Sequence, residues 1–348
     1  MTRELTVSID AMGGDAGPGV AVTALIRAVE RYPGTHYLLH GDENALKPLV
    51  AREPRLKGRV TVRHAPDRVA MDDKPSQIVR RGHNTSMWRA IESVKKGEAQ
   101  AIVSAGNTGA LMAMSMLQLR TIEGISRPAI ASIWPTMRGR TVVLDVGANV
   151  TASADQLVEF AVMGEAFAHA VFNLDRPIVG LLNVGSEELK GNDAVRGAAH
   201  ILRSSKLPIA FHGFVEGNDI TEGLVDVVVT DGFTGNIALK TAEGTARLIA
   251  AYLRQSLKRS LLGRLGAVVA SGALGTLRRK LDPRANAGGI FLGLNGVVVK
   301  CHGGADAVSF ASAMDMAIDM ARADLNARIT ADRGRIAAET AGAQAGDI

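Results

Sequence analysis

The chain has 348 residues, 47% of them hydrophobic and 4% aromatic, so its core must be built mainly from Ala, Val, Leu and Ile. That length suits one large α/β domain or two fused lobes. The formal net charge is +5 and Cys301 is the one cysteine, which excludes an intrachain disulfide and fits a reduced, cytosolic setting. The N-terminus leads into a strand with no signal-peptide core, and no run of about 18 apolar residues offers a membrane-spanning helix.

In chain order, Leu5–Asp10 reads as a buried strand ending in the glycine turn that closes at Asp15. A helix is predicted over Gly19–Arg31, then strands over Thr35–His40 and Arg59–His64. Lys74–Arg81 reads as a polar loop leading to a helix over Ser86–Lys96. The strand Ala101–Ser104 runs into Ala-Gly-Asn-Thr-Gly109 and a Met-rich helix, Ala110–Leu119. Ala129–Trp134 and Thr141–Asp145 read as adjacent strands joined by a tight turn over Pro135–Arg140. A helix over Ala154–Phe172 starts near Ser153 or Asp155. Strands are predicted over Ile178–Asn183, Ile209–Gly213, Val225–Thr230 and Gly296–Cys301. Helices are predicted over Val195–Ser204, from Ile237 onward, and from Asp306 to about Ala327. This alternation is the pattern of βαβ units and a mainly parallel sheet, whose ligands gather beyond the strand C-termini.

The most informative stretch is Val225 to Asn236, where an apolar run ends in Asp231-Gly-Phe-Thr-Gly-Asn236. A strand, a glycine turn and a helix N-terminus aim backbone N–H groups at one spot and suit an anion such as phosphate. Several other motifs are missing. No Gly-x-x-x-x-Gly-Lys-Ser/Thr loop, no Gly-x-Gly-x-x-Gly after the first strand, no Gly-x-Ser-x-Gly elbow and no paired metal-ligand spacing occurs.

Lys190 follows a buried strand and reads either as a solvated loop lysine or as a cation that holds phosphate. Asn236, Asn107 and Thr108 read as helix caps or as donors to an oxyanion. Asp10, Asp15, Asp145 and Asp231 end strands; they form turns, orient donors or act as bases. His302 and Cys301 read as structural, and Met112, Met114 and Met116 as core packing or an acyl groove.

From Gly244 to Leu281 there is no acidic residue, and Arg247, Arg254, Lys258, Arg259, Arg264, Arg278, Arg279 and Lys280 lie there around an apolar stretch. Such a segment can meet anionic headgroups or an acidic protein, or pack as a solvated helical hairpin at a dimer interface. With Tyr252 as its one aromatic, it is not expected to bind nucleic acid.

Five stretches follow in order: Ile9 to Asp15, Ser104 to Ala110, Leu144 to Asn149, Leu182 to Glu188 with Lys190-Gly-Asn192, and Asp231 to Asn236. Together they resemble the PlsX family of bacterial phosphate acyltransferases, over about Leu5 to Ala327. The resemblance implies transfer of a long-chain fatty acyl group from acyl-[acyl-carrier protein] to inorganic phosphate, for phospholipid synthesis. It implies a homodimer, no metal and no cofactor. It also implies a three-layer α/β/α fold with a mainly parallel sheet, similar to isopropylmalate dehydrogenases and phosphotransacetylases. The expected setting is the cytoplasm, peripheral to the inner face of the cell membrane, with a membrane glycerol-3-phosphate acyltransferase downstream.

On this reading Lys190 and Asn236 are catalytic. Asp10, Gly13, Gly14, Asn107, Thr108, Gly109, Asn149, Ser186, Asp231, Gly232, Thr234 and Gly235 bind phosphate or substrate. Arg254, Lys258, Arg259, Arg264, Arg278, Arg279 and Lys280 meet the carrier protein or the membrane. The expected organisation is one domain over 1–328 with a basic, apolar helical insertion at about 244–284, and a flexible tail over 329–348. Competing readings are a coenzyme A-linked short-chain phosphotransacetylase, a decarboxylating dehydrogenase, and a non-catalytic membrane scaffold.

Overall fold

The computed structural model describes residues 5–205, 207, 209–281, 288–327 and 329–330. Local chemistry sets most element boundaries. The first half comprises β1 (Leu5–Asp10), α1 (Pro18–Arg31), β2 (Thr35–Gly41), α2 (Glu43–Ala51), β3 (Val60–His64), α3 (Pro75–Arg81), α4 (Ser86–Lys95), β4 (Ala101–Ser104) and α5 (Thr108–Leu119). The hairpin β5 (Ala129–Thr136) and β6 (Gly139–Leu144) leads to α6 (Ala154–Phe172), β7 (Ile178–Leu182), α7 (Asp193–Ser204), β8 (Ala210–Val215), α8 (Gly217–Glu222) and β9 (Val227–Val229). Then come α9 (Gly232–Lys258), α10 (Leu261–Val269), α11 (Ser271–Leu281), β10 (Gly288–Leu292), β11 (Val297–Cys301) and α12 (Ala307–Arg322).

Several elements differ from the sequence reading, among them α8 (Gly217–Glu222), which it did not anticipate. Lys74–Arg81 is helical as α3, because Pro75 at its first position presets the helical φ. The helix α2 is capped by Asp42, whose side chain accepts from the Asn44 N–H, while the internal Pro48 hides it from a propensity reading. The strand β10, Gly288–Leu292, has no counterpart in the sequence reading. The β5–β6 strands extend through Thr136 and Gly139, so the turn is shorter than Pro135–Arg140.

The strands form one sheet in the order β3-β2-β1-β4-β11-β10-β5-β6-β9-β7-β8. Pairing is parallel throughout β3-β2-β1-β4-β11 and throughout β6-β9-β7-β8. Between these halves β10 is antiparallel to both neighbours, and β5 is antiparallel to β6. The halves therefore run in opposite senses. Register staggers them: Lys300 near the end of β11 pairs with Gly289, while Ser132 pairs with Val143 near the end of β6. With Ile290 opposite Ala131, Gly289 falls beside Ser132. The C-terminal ends of both halves thus converge at one level of the sheet, over β10 and β5.

Helices cover both faces, giving three α/β/α layers. On one face α1, α6, α7 and α12 bury Leu25, Phe160, Ala198 and Phe310 against the sheet. On the other, α4 and α5 bury Met87, Ile91, Leu111 and Met114. Small side chains such as Ala161, Ala313 and Ala317 allow close helix–sheet approach. Ile329 is buried in the first of these cores, so packing continues past residue 328; positions 331–348 of the expected tail lie outside the described residues.

A polar row crosses the first half. Arg63, His40, Asp10, Ser104 and Lys300 are successive register partners on β3, β2, β1, β4 and β11. His40 is 3% exposed and its Nε2 meets the Ser93 hydroxyl at 3.3 Å. Burial, then the Arg63 and Arg89 charges, pull its pKa down to about 4. Below an unfolded pKa near 6.5 the unfolded chain binds a proton that the folded chain refuses, so folding loses stability as pH falls from about 6.5 to about 4. The loss is on the order of 3 kcal/mol. Chemical denaturation across that range should show the drop, and His40→Gln should flatten it.

Candidate active site

At the end of β1, Asp10 is buried and accepts from the Ser86 hydroxyl at 2.6 Å and the Ser104 hydroxyl at 2.7 Å. Burial raises its pKa, against the Ser86 and Ser104 hydroxyls and the backbone N–H groups of Met12 and Gly13. Gly13 and Gly14 form the turn that follows, and the Asp15 N–H ties it to the Gly303 carbonyl at 2.9 Å. The turns after β1 and β11 are therefore clasped together.

At the end of β6, Asp145 is fully buried. Its carboxylate accepts from the backbone N–H groups of Ile130 at 3.1 Å, Gly147 at 3.0 Å, Ala148 at 2.9 Å and Asn149 at 2.7 Å. The Asn149 amide adds a bond at 2.9 Å and also donates to the Pro128 carbonyl at 2.9 Å. This turn is an anion nest whose anion is the chain's own aspartate. Burial raises the Asp145 pKa, and these donors oppose the rise.

The Asp231-to-Asn236 motif is the first turn of α9 rather than a loop before it. Asp231 is the N-cap and accepts from the Thr234 N–H at 2.8 Å and the Thr234 hydroxyl at 3.1 Å. The Gly232 N–H donates to the Asn149 carbonyl at 2.7 Å. Gly235 lies against the Asp145 carbonyl oxygen, where any side chain would collide. Two of the expected cradle donors, at 232 and 234, are thus satisfied inside the chain. The Asn236 amide donates one N–H to the Val146 carbonyl at 3.1 Å. Gly147 lies beneath it at φ 138°, and a Cβ there would sit 2.8 Å from Asn236 Nδ2.

Asn107 caps α5 through the Ala110 N–H at 3.0 Å, and its amide donates to the carbonyls of Met71 at 2.8 Å and Asp73 at 3.1 Å. Its side chain is a structural clamp. Gly109 packs against Pro75, and Thr108 opens the helix. Lys190 and Ser186 are exposed on the loop after β7, where the Asn183 amide holds the carbonyls of Gly185 at 3.1 Å and Lys190 at 3.2 Å.

Over the convergence of strand ends lies a cavity of about 350 Å³. Asn236, Thr108 and Asp15 line it; Lys190 and Ser186 do not. Its wall also carries Lys240, Glu243, Lys300, Cys301, His302 and Ser132. Sequence reading missed Lys240, Glu243, Ser132 and Lys300 as site residues. The signal for Lys300 was a lysine inside the apolar strand Val297–Cys301, and for Lys240 its place one turn after Asn236. Burial pushes the Cys301 thiol up to about 11, so it is protonated at neutral pH and is a poor nucleophile. Among the described residues no cluster of three His, Cys, Asp or Glu side chains forms a metal cage.

A family model described as "fatty acid synthesis protein" matches residues 5–328. A phosphate acyltransferase from Parvibaculum lavamentivorans is 55% identical over 98% of this chain and 94% of its own length. The chain belongs to the phosphate acyltransferase family. Two solved structures share the fold. A Streptococcus pyogenes phosphotransacetylase superposes with a TM-score of 0.61 at 18% identity, covering 92% of this chain and 95% of that one. A 4-hydroxythreonine-4-phosphate dehydrogenase from Klebsiella pneumoniae gives 0.54 at 14% identity, over 92% and 99%.

In this phosphate acyltransferase family member the basic segment is a projecting arm. The helix α9 runs on to Lys258 with no buried side chain after Gly235, and α10 buries none. Leu248, Ile249, Tyr252, Leu261, Leu262 and Val269 are exposed there. Arg254, Lys258, Arg259 and Arg264 are exposed beside them. Arg278, Arg279 and Lys280 fall on α11, and their side chains lie outside the described residues. No helix among the described residues is long and apolar enough to cross a membrane.

The Gly147 contact makes a test of the site. Gly147→Ala must displace the Asn236 amide, and a misplacement of about 1 Å costs on the order of 100-fold in turnover. Steady-state acyltransferase kinetics should show that loss, with a far-ultraviolet circular dichroism spectrum like the wild type's.

Proposed function

We propose that this acyltransferase moves a long-chain fatty acyl group from acyl-[acyl-carrier protein] to inorganic phosphate, supplying acyl phosphate for phospholipid synthesis. Family membership over 5–328 carries the reading. The cavity supports it by placing the Asn236 amide at the convergence of strand ends.

Phosphate is already a nucleophile, so the reaction needs no serine or cysteine nucleophile. One phosphate oxygen attacks the thioester carbonyl carbon. The C–O bond forms as the carbonyl electrons move onto oxygen. Collapse of that oxyanion breaks the C–S bond, and the departing thiolate takes a proton to become the free carrier thiol. An asparagine amide has two N–H donors, and one here is held by Val146, which leaves the second for the oxyanion. Lys190 supplies positive charge against the charge growing on the transferring group. It lies outside the cavity lining, on the loop after β7, and this role requires that loop to approach the cavity.

The arm fits an acidic carrier protein and an anionic membrane surface, since it combines exposed leucines with cations and has no carboxylate between Gly244 and Leu281. Acyl phosphate is a lipophilic mixed anhydride, so release at a membrane surface limits its hydrolysis. It also passes the product to a membrane glycerol-3-phosphate acyltransferase. The enzyme works as a homodimer at the inner face of the cell membrane.

Free-thiol release from a long-chain acyl-carrier protein should depend on inorganic phosphate and yield acyl phosphate. Phosphate-independent release, or release from short-chain acyl coenzyme A alone, would sink the reading. Lys190→Ala and Asn236→Ala should each lower turnover on the order of 10²–10³-fold with the fold intact. Reversing the charges of Arg254, Lys258, Arg259 and Arg264 should weaken binding to anionic vesicles or to the carrier protein in co-sedimentation and titration. Unchanged binding to both would remove the arm as a dock.

A further inference from the structure

The turns around the cavity hold much of their own backbone in place. Asp145 takes the N–H groups of Gly147, Ala148 and Asn149. Asp10 takes those of Met12 and Gly13, and Asp231 takes that of Thr234. An oxyanion entering the cavity therefore meets side-chain cations more than backbone amides.

Those cations sit on two facing elements. Lys300 stands near the end of β11, level with Ser104 on β4 and Gly289 on β10. Lys240 stands on α9 one turn after Asn236, so the amide and the ammonium share a helix face. Both line the cavity, with His302 beside them and the Ser132 and Thr108 side chains on its wall. The carboxylates facing them are Asp15 and Glu243; Glu243 pairs with Lys240 at 3.2 Å. Lys300 donates to the Cys301 carbonyl, which is neutral. An ammonium has three donors, so the Lys300 charge has capacity for an anion.

We propose that Lys300 and Lys240 together seat inorganic phosphate in the cavity, beside the Asn236 amide. This rests on the reading that phosphate is the acyl acceptor. Each lysine contributes a charge-assisted hydrogen bond to a phosphate oxygen, and phosphate competes with Glu243 for Lys240. The seat puts the nucleophile next to the donor assigned to the oxyanion, which is the arrangement in-line attack requires. Burial, with the nearby Lys240 charge, holds the Lys300 pKa down to about 8, against pulls from Cys301, Asp10 and Asp15. Burial strips such a cation of part of its solvation, and a bound dianion would offset that loss.

Lys300→Met and Lys240→Met keep the length of the aliphatic stems, the first half-buried and the second exposed, and remove the charges. Each should raise the KM for inorganic phosphate on the order of 10- to 100-fold, the effect of losing a hydrogen bond to a charged group, with the KM for acyl-carrier protein unchanged. Calorimetric titration with inorganic phosphate alone should show binding to the wild type and its loss in both variants. If both folded variants keep the wild-type phosphate KM and heat of binding, the seat is overturned. A rise confined to the acyl-carrier KM overturns it too, because the lysines would then hold the phosphate of the carrier's prosthetic arm. A wild type that binds phosphate through these lysines yet forms no acyl phosphate keeps the seat and removes the acyl-transfer reading. A wild type with phosphate-dependent transfer and unaffected variants does the reverse.

Discussion

Two buried carboxylates hold the strand-end turns of this molecule in place. Asp10 and Asp145 are 1% and 0% exposed, and their hydrogen-bond donors named above are hydroxyls, an amide and backbone N–H groups. A buried carboxylate without enough donors is costly, so the surrounding chain must bend to supply them. Asp145 draws four backbone N–H groups and the Asn149 amide around itself. Asp10 draws two serine hydroxyls from different elements, α4 and β4. Each carboxylate thus fixes a turn and the next turn's partner. Asn149, held by Asp145, in turn accepts from Gly232 and sets where α9 begins.

The sheet gives these turns a common address. Two parallel halves of opposite sense would normally carry their C-terminal ends to opposite edges. The central antiparallel strands and their register stagger bring both sets of ends to one level. The cavity is where this stagger leaves room. Its floor is the middle of the sheet, at Ser132 and Gly289, and its walls are turns from both halves. A site assembled from both halves in this way depends on the whole sheet and cannot be built by either half alone.

Much of this was legible in the sequence because the pattern is local. Apolar runs ending in an aspartate or a glycine-rich turn marked the strand ends, and each strand predicted in those runs is present to within a few residues. The glycines were read as phosphate cradles, and here the sequence pattern had two physical meanings. Gly235 is glycine because the Asp145 carbonyl leaves no space for a side chain, and that contact spans 90 positions of sequence. Asn107 is likewise consumed by carbonyls from the segment before α3. Lys300 was passed over because its neighbours read as an apolar core strand. Only the row formed with Ser104 and Asp10 shows it belongs with polar groups. Register and tertiary closeness carry no local signature, so such residues emerge only once strands are paired.

The helix α9 joins what sequence reading kept apart. Its opening turns carry Asn236, Lys240 and Glu243 in succession, and its far end the exposed leucines and arginines of the arm. The segment was read as an insertion beginning near Gly244, yet the helix runs through that position without a break. At 1.5 Å of rise per residue, Asn236 and Lys258 are about 33 Å apart along one rod. A rod transmits position where a linker would not. A partner bound to the arm, as proposed, would therefore be held at a set distance and angle from the cavity. If the substrate is the long, flexible acyl chain proposed above, fixing its entry direction relative to the reacting carbonyl would remove much of the orientational freedom the reaction otherwise has to lose.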